Sequence, residues 1–183
     1  KDYIFKKIEK KFKNYKKKVI VFSNLPYKTA IPILAKIFRN RSYFQKLILM
    51  FQKEQAERIM AKKNTKSYGR ISVISWWLCD IKKKMHLSPN YFFPKPKIDS
   101  SILEFKFKKK IKKVDNEDLL SDLIKKCFSQ RRKTIKNNLK KTINFSDQVF
   151  LNCGINSKKR PEELDFIDFI NLSNFLSKHK KEL

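Results

Sequence analysis

Val19-Ile20-Val21-Phe22-Ser23-Asn24-Leu25-Pro26-Tyr27 is a short apolar run that stops abruptly at Asn-Leu-Pro-Tyr. The run 19–22 is rich in β-branched residues and suits a strand. Its unbroken apolar character predicts a parallel strand covered on both faces. The strand delivers a polar amide (Asn24), a rigid turn (Pro26) and an aromatic face (Tyr27) to one spot. Those groups can hold a planar base that bears an exocyclic amine. An ordinary strand-to-helix turn also favours Asn and Pro, so these four residues alone leave both readings open.

Working outward, residues 29–38 place Ile33, Leu34, Ile37 and Phe38 at helical spacing, and Pro32 fits the first turn. Residues 46–51 form a second apolar run. A polar helix is expected at 52–61 and another helix at 69–79. Strand, helix, strand, helix is the rhythm of an α/β sheet. Residues 80–87 and 100–107 then read as strands, with Leu103, Phe105 and Phe107 on one face and Glu104 and Lys106 on the other. Tyr91-Phe92-Phe93-Pro94-Lys95-Pro96-Lys97 joins them as a rigid aromatic-proline loop. Two strands joined in this way predict an antiparallel edge to a mostly parallel sheet.

The basic connector 106–113 suggests a boundary, with domains at 1–110 and 111–183. Beyond it the pattern is helical. Asp115 is the expected N-cap, with Asp118 three residues on. Leu120, Ile124, Cys127, Arg131, Ile135 and Leu139 trace a stripe of helical period, interrupted by the basic run Gln130-Arg131-Arg132-Lys133-Thr134. Gly154 is expected to end a short helix, Pro161 to open a turn, and 166–177 to form the last helix. The Lys-rich stretch 4–18 reads as a helix or an extended lead-in.

Composition narrows the partner. The 183 residues carry a formal charge of +28, with only 17 acidic residues. Such a field attracts polyanions and releases their condensed counterions. Nucleic acid is the leading partner and an acidic membrane surface the second. Codon bias in an AT-rich genome accounts for part of the Lys excess over Arg, but not for the shortage of Asp and Glu. Hydrophobic content of 41% is enough for a packed core. Cys79, Cys127 and Cys153 are widely spaced and show no CxxC pairing. Free thiols are expected, with neither a disulfide framework nor a metal site. No apolar run reaches the roughly 20 residues that span a bilayer, and the start shows no signal-peptide pattern.

The chemistry of 24–27 follows from the amine. An amine conjugated to an aromatic ring is a weak nucleophile, because its lone pair is delocalised. Two acceptors aimed at its N–H groups favour the pyramidal nitrogen that attacks. The Asn24 side-chain oxygen can be one. A backbone carbonyl beside Pro26 can be the other, since Pro26 fixes its own φ and holds Leu25 extended. Tyr27 can stack on the base, which must already be out of its helix. An aromatic of the 91–97 loop can close over the other face, although at least one of these rings is expected merely to cap the core.

Taken together, the motifs resemble the rRNA adenine N6,N6-dimethyltransferase family. Asn24-Leu25-Pro26-Tyr27 matches its catalytic motif. Gln52-Lys53-Glu54 with Glu57-Arg58 resembles its QKE segment, and Tyr68-Gly69-Arg70-Ile71-Ser72-Val73 its YGR run. Phe92-Phe93-Pro94-Lys95-Pro96-Lys97-Ile98-Asp99-Ser100 resembles its aromatic-proline loop. Phe128-Ser129-Gln130-Arg131-Arg132-Lys133-Thr134 resembles its F-x-Q-R-R-K-T helix, and Arg160 with Glu163-Leu164 its closing segment. The order is right from about residue 19 onward.

The resemblance implies a partial class I, Rossmann-like methyltransferase sheet followed by a small all-α rRNA-binding domain. The donor it implies is S-adenosylmethionine, with Asn24 also touching that cofactor. The implied substrate is a pair of adjacent adenosines in a hairpin loop near the 3′ end of small-subunit rRNA, within the 30S precursor. In this analogy Asn24 and the Leu25 carbonyl orient the amine, with Pro26 setting the turn. Tyr27 and Phe92 sandwich the ring, and Arg131, Arg132, Lys133 and Lys97 contact RNA. For the three residues of the Gln-Arg-Arg-Lys-Thr run, a merely solvated helix face is the alternative. Gln52, Glu54 and Arg70 are expected to be structural or part of the surface near the site. A cytoplasmic monomer without membrane association is implied.

The chain departs from the family pattern in several places. Ser23 stands where Gly usually precedes the motif, Lys28-Thr29-Ala30 replaces a polar segment, and Lys95 replaces a frequent Pro. The only glycines are Gly69 and Gly154, so no Gly-rich strand-to-helix turn precedes the motif. The sequence therefore reads as the C-terminal two-thirds of such an enzyme. A non-catalytic ribosome-binding paralogue and a DNA amino-methyltransferase are the alternative readings.

Overall fold

Val19–Asn24 (β1) is the first regular element of the computed structural model, which describes residues 18–140 and 147–179. The lead-in expected at 4–18 lies, except for Lys18, outside them. The elements that follow are α1 (Ala30–Arg39), β2 (Phe44–Gln52), α2 (Lys53–Met60), α3 (Arg70–Leu78), β3 (Cys79–Leu87) and β4 (Ser100–Phe107). After them come α4 (Glu117–Cys127), α5 (Ile135–Leu139), α6 (Asp147–Asn152) and α7 (Phe166–Lys178). The described chain forms two compact units. The first takes the chain up to Ala56 together with 79–107, and the second takes 57–78 together with the chain from Lys108 onward.

The first unit is built on a four-stranded sheet of order β1-β2-β4-β3. β1 runs parallel to β2 with Val21 opposite Leu47 and Asn24 opposite Met50. β4 runs antiparallel to both β2 and β3. The antiparallel edge is present, but β4 separates β3 from β2, so the described sheet has one parallel pair and two antiparallel ones. β2 is the apolar centre because it has a neighbour on each side, and Leu47, Leu49 and Phe51 are fully buried. Phe38 of α1 meets Phe105 edge-on at 6.1 Å, and Phe51 meets Phe105 at the same distance. Such aromatic pairs fill the space between helix and sheet.

Two sequence expectations change here. β1 is not covered on both faces: Ile20 is 45% and Phe22 71% exposed. Their side chains share one face of β1 with Asn24, and that face is open to solvent. Glu104 was placed on the polar face of β4, yet it is buried. Lys46 Nζ reaches its Oε2 at 3.2 Å and Lys106 Nζ its Oε1 at 3.9 Å, which compensates the burial.

α1 starts as composition predicts. Pro32 sits in its first turn, where its missing N–H costs nothing. Lys36 and Arg39 occupy the last turn, against the negative end of the helix dipole. Asn40 closes the helix, its side-chain Nδ2 donating to the Lys36 carbonyl at 2.9 Å.

In the second unit, Tyr68 packs edge-on against Phe128, and Phe128 against Phe169. Trp76 Nε1 donates to the Ala61 carbonyl and Trp77 Nε1 to that of Lys112, so both indole N–H groups are satisfied. α4 is capped by Asn116, whose side chain accepts from the Leu119 N–H, and not by Asp115. The Asp115 N–H is itself a donor, to Asn174 Oδ1 at 3.0 Å. α6 ends as expected at Gly154. There φ is +70°, Ile155 N–H bonds the Phe150 carbonyl and Gly154 N–H that of Leu151. This is the paired closure that favours glycine in the left-handed region. α7 opens with a capping box between Asp165 and Asp168. Cys79, Cys127 and Cys153 are all free thiols. Among the described residues no helix is long and apolar enough to cross a membrane, and no cluster of ligands suits a metal ion.

Candidate active site

The end of β1 opens directly into a cleft of about 410 Å³ in the first unit. Asn24, Leu25, Pro26, Tyr27 and Met50 line one side, and Phe92, Phe93, Pro94 and Pro96 the other. The two segments lie more than 60 residues apart in sequence. Strand pairing brings them together, because β4 begins beside Gln52, where β2 ends. Crevices at the carboxyl ends of parallel strands are the usual ligand sites of open α/β sheets.

Asn24 ends β1 with its side chain exposed, while Leu25 turns inward and is buried. Three backbone carbonyls follow. That of Pro26 accepts the Thr29 N–H at 3.0 Å and the Thr29 hydroxyl at 3.2 Å. That of Tyr27 accepts Gln55 Nε2 at 2.8 Å. Two of the three are thus occupied by the chain itself, and the Leu25 carbonyl is the one left to consider as an acceptor. The Tyr27 ring is half-buried, and its oxygen lies 2.9 Å from Ser100 Oγ.

The opposite wall begins at Phe92, just after a single turn of 3-10 helix, Pro89–Tyr91; the Phe92 N–H bonds the Pro89 carbonyl at 3.2 Å. Phe92 is half-buried and Phe93 wholly exposed, and both line the cleft. The sequence singled out Phe92 by resemblance. Phe93 is the residue it passed over, since two adjacent rings cannot be told apart by motif alone. Tyr91 is exposed but outside the lining. Lys97 is exposed on the same loop, directly after Pro96 of the lining.

The lining contains no charged side chain and no glycine. S-adenosylmethionine carries an ammonium, a carboxylate and a ribose diol, and this lining offers no charged group to pair with the first two. Asn24, assigned to that cofactor by resemblance, stands there with Tyr27 as the only side-chain hydrogen-bonding groups. What the lining does match is a flat uncharged ring with a polar edge.

The basic run of the second unit is not helical. Residues 128–134 form turns between α4 and α5, so the predicted stripe breaks after Cys127. Buried Asn138 organises these turns. Its Oδ1 accepts the Gln130 N–H at 3.0 Å and the Ser129 hydroxyl at 3.1 Å. Its Nδ2 donates to the carbonyls of Gln130, Lys133 and Thr134. Arg132 and Lys133 project into solvent. Arg131 is also exposed, but its guanidinium donates to the Tyr68 carbonyl and so ties the turn to the helical core. Burial, with the nearby charges of Asp165 and Asp168, pushes the Tyr68 phenol well above its ordinary range.

Known proteins agree with the fold and the motifs. The sequence pattern of the family described as Ribosomal RNA adenine dimethylase matches residues 3–178. "Ribosomal RNA small subunit methyltransferase A" of Wolbachia sp. subsp. Drosophila simulans is 41% identical over 156 residues, which cover 85% of this chain and 57% of that relative. The chain thus spans less than two-thirds of the length of such curated relatives. A dimethyladenosine transferase from Plasmodium falciparum superposes with a TM-score of 0.76 at 27% identity, covering 92% of this chain and 69% of the other. The 23S rRNA methyltransferase ErmE matches with a TM-score of 0.59 at 15% identity, covering 97% and 79%. The sheet and helices are therefore of the Rossmann-like methyltransferase type.

Proposed function

Because the chain belongs to the ribosomal RNA adenine dimethylase family, we propose that its cleft holds an unstacked adenosine of small-subunit rRNA for methylation on the 6-amino group. The observation that carries this reading is the convergence of Asn24, Leu25, Tyr27 and Phe92 on one uncharged cleft. In this reading the Asn24 side-chain oxygen and the Leu25 carbonyl accept the two N–H bonds of the amine. The nitrogen is drawn toward a pyramidal shape, and its lone pair becomes available for attack. Pro26 keeps the carbonyls in place. Tyr27 and Phe92 stack on the two faces of the ring. The amine turns strongly acidic only as it reacts, so its proton leaves to solvent and no dedicated base is required.

The substrate class is a pair of neighbouring adenosines in a 3′-terminal hairpin loop, modified during ribosome assembly in the cytoplasm. S-adenosylmethionine is the donor assigned, with Asn24 as the lining residue that contacts it. Arg132, Lys133 and Lys97 are the phosphate-contacting residues, supported by their exposure and by the charge of +28. The test is genetic. Asn24→Ala is placed in the chromosomal gene of the host, and N6,N6-dimethyladenosine in small-subunit rRNA is measured by mass spectrometry. Loss of one preorganised acceptor is expected to lower the rate by about 100-fold or more, with the protein level unchanged. Undiminished dimethyladenosine overturns the reading.

A further inference from the structure

Tyr27 is tethered at two points. Ser100 Oγ lies 2.9 Å from its phenol oxygen, and Gln55 Nε2 donates to its backbone carbonyl at 2.8 Å. Ser100 is fully buried and begins β4, paired with Gln52 on one side and Leu87 on the other. It belongs to the sheet, which is rigid, and not to the aromatic-proline loop. Gln55 lies in the first turn of α2, and among the described residues its buried Oε1 has no hydrogen-bond partner. Its amide hydrogen bonding is therefore directed at Tyr27.

The two tethers are themselves linked. The Lys53 N–H donates to the Asp99 carbonyl at 2.9 Å. The Asp99 carboxylate faces Lys53 Nζ at 3.8 Å and His86 Nε2 at 3.6 Å. Residues 53–55 and 99–100 thus form one clamp around Tyr27. A ring that only stacks on a base has no need of a hydroxyl, and phenylalanine would serve. Here the hydroxyl reaches Ser100.

We propose that Ser100 and Gln55 are positioning residues that fix the plane of the Tyr27 ring and the turn that carries it. This rests on the adenine-holding reading above. A base stacked on a fixed ring presents its amine to Asn24 in one geometry, and a base on a rotating ring presents it in several. Positional errors of this kind act on the rate of the bound complex. Affinity for the RNA comes mostly from phosphate contacts elsewhere and is spared.

The protein labelled with 13C at the tyrosine Cζ tests the tether without any substrate. Tyr27→Phe identifies the Tyr27 signal by its disappearance. Ser100→Ala and Gln55→Glu are expected to shift that signal, and Ser100→Thr, which keeps the hydroxyl, to restore it. Methylation of small subunits that lack the modification supplies the second arm. Ser100→Ala is expected to lower kcat about 10-fold with KM within about 2-fold. Tyr27→Phe is expected to match it, and the double variant to add nothing further. Tyr27→Phe breaks the same bond from the half-exposed side, so the second arm survives if Ser100→Ala fails to fold. An unmoved signal in both Ser100→Ala and Gln55→Glu overturns the inference, and so do additive losses in the double variant. If the unaltered protein neither binds nor methylates small subunits, the adenine reading falls, and the ring signal alone decides the tether.

Discussion

Asn138 grips Gln130 from both sides, accepting its N–H and donating to its carbonyl, each at 3.0 Å. With the further bonds to Ser129, Lys133 and Thr134, one buried amide satisfies a turn that has no helical partners of its own. Asn138→Asp keeps the size but loses the donors and turns a carboxylate oxygen toward three carbonyls. The expected loss of stability is about 1–3 kcal/mol or more. Urea unfolding of the purified variant measures it. An unchanged midpoint would show that the turn does not depend on this amide.

Arg131, Arg132 and Lys133 are neighbours with different surroundings. Arg131 donates to the Tyr68 carbonyl, whereas Arg132 and Lys133 point into solvent. Arg132→Ala and Lys133→Ala are each expected to reduce the salt slope of RNA binding by ~1 and to leave stability unchanged. Arg131→Ala is expected to lower the unfolding midpoint. Filter binding over a series of salt concentrations, beside urea titration, separates the two behaviours.

Phe93 is wholly exposed and yet lines the cleft. Its truncation to Ala removes no core packing, so the melting temperature is expected to stay constant. Binding of an RNA hairpin with 2-aminopurine at the target position is expected to weaken by about 1–3 kcal/mol if the ring stacks on the base. Equal affinity in the variant would leave Phe92 as the sole stacking partner on that wall.

Glu104 titrates in a sheet face of lysines. The hydrogen bond from Lys46 holds its carboxyl below the usual carboxylate range, against the opposing effect of burial, and the nearby charges of Lys46, Lys106 and Lys84 reinforce the shift. A folded-state value below the unfolded one means that the unfolded chain takes up the proton first. The stabilisation is therefore present above the unfolded value and is lost as pH falls through the folded one. Unfolding midpoints from pH 7 down to acid are expected to drop more steeply for the unaltered protein than for Glu104→Gln. Parallel curves would show that Glu104 contributes nothing to acid sensitivity.

Much of the fold was legible because short-range periodicity fixes short-range structure. The spacing of Ile33, Leu34, Ile37 and Phe38 marked α1, and the alternation through Leu103 and Phe105 marked β4. Pro32, Gly154 and Pro161 marked a helix start, a helix end and a turn for reasons of backbone conformation alone. The cap of α4 was misplaced by one residue because Asp115 and Asn116 are both good caps. Only the Leu119 N–H, by pointing at Asn116, distinguishes them. The basic run was read as helix because Cys127, Arg131 and Ile135 keep a helical interval by coincidence. Asn138 competes for the same backbone groups and wins.

The sequence by itself determined the residue types at the cleft. Asn-Leu-Pro-Tyr at the end of a strand and two rings in a proline-braced loop are local patterns, and their order along the chain points to the family. Tertiary structure alone decided what those residues touch. Ser100 meets Tyr27 across 73 residues of chain, and Arg131 meets Tyr68 across 63. β4 lies between β2 and β3, and one face of β1 is left open. Such relations depend on strand order and on which backbone groups remain unsatisfied once the elements pack. Neither quantity is encoded in the period of a single segment, so neither was visible before the chain was folded.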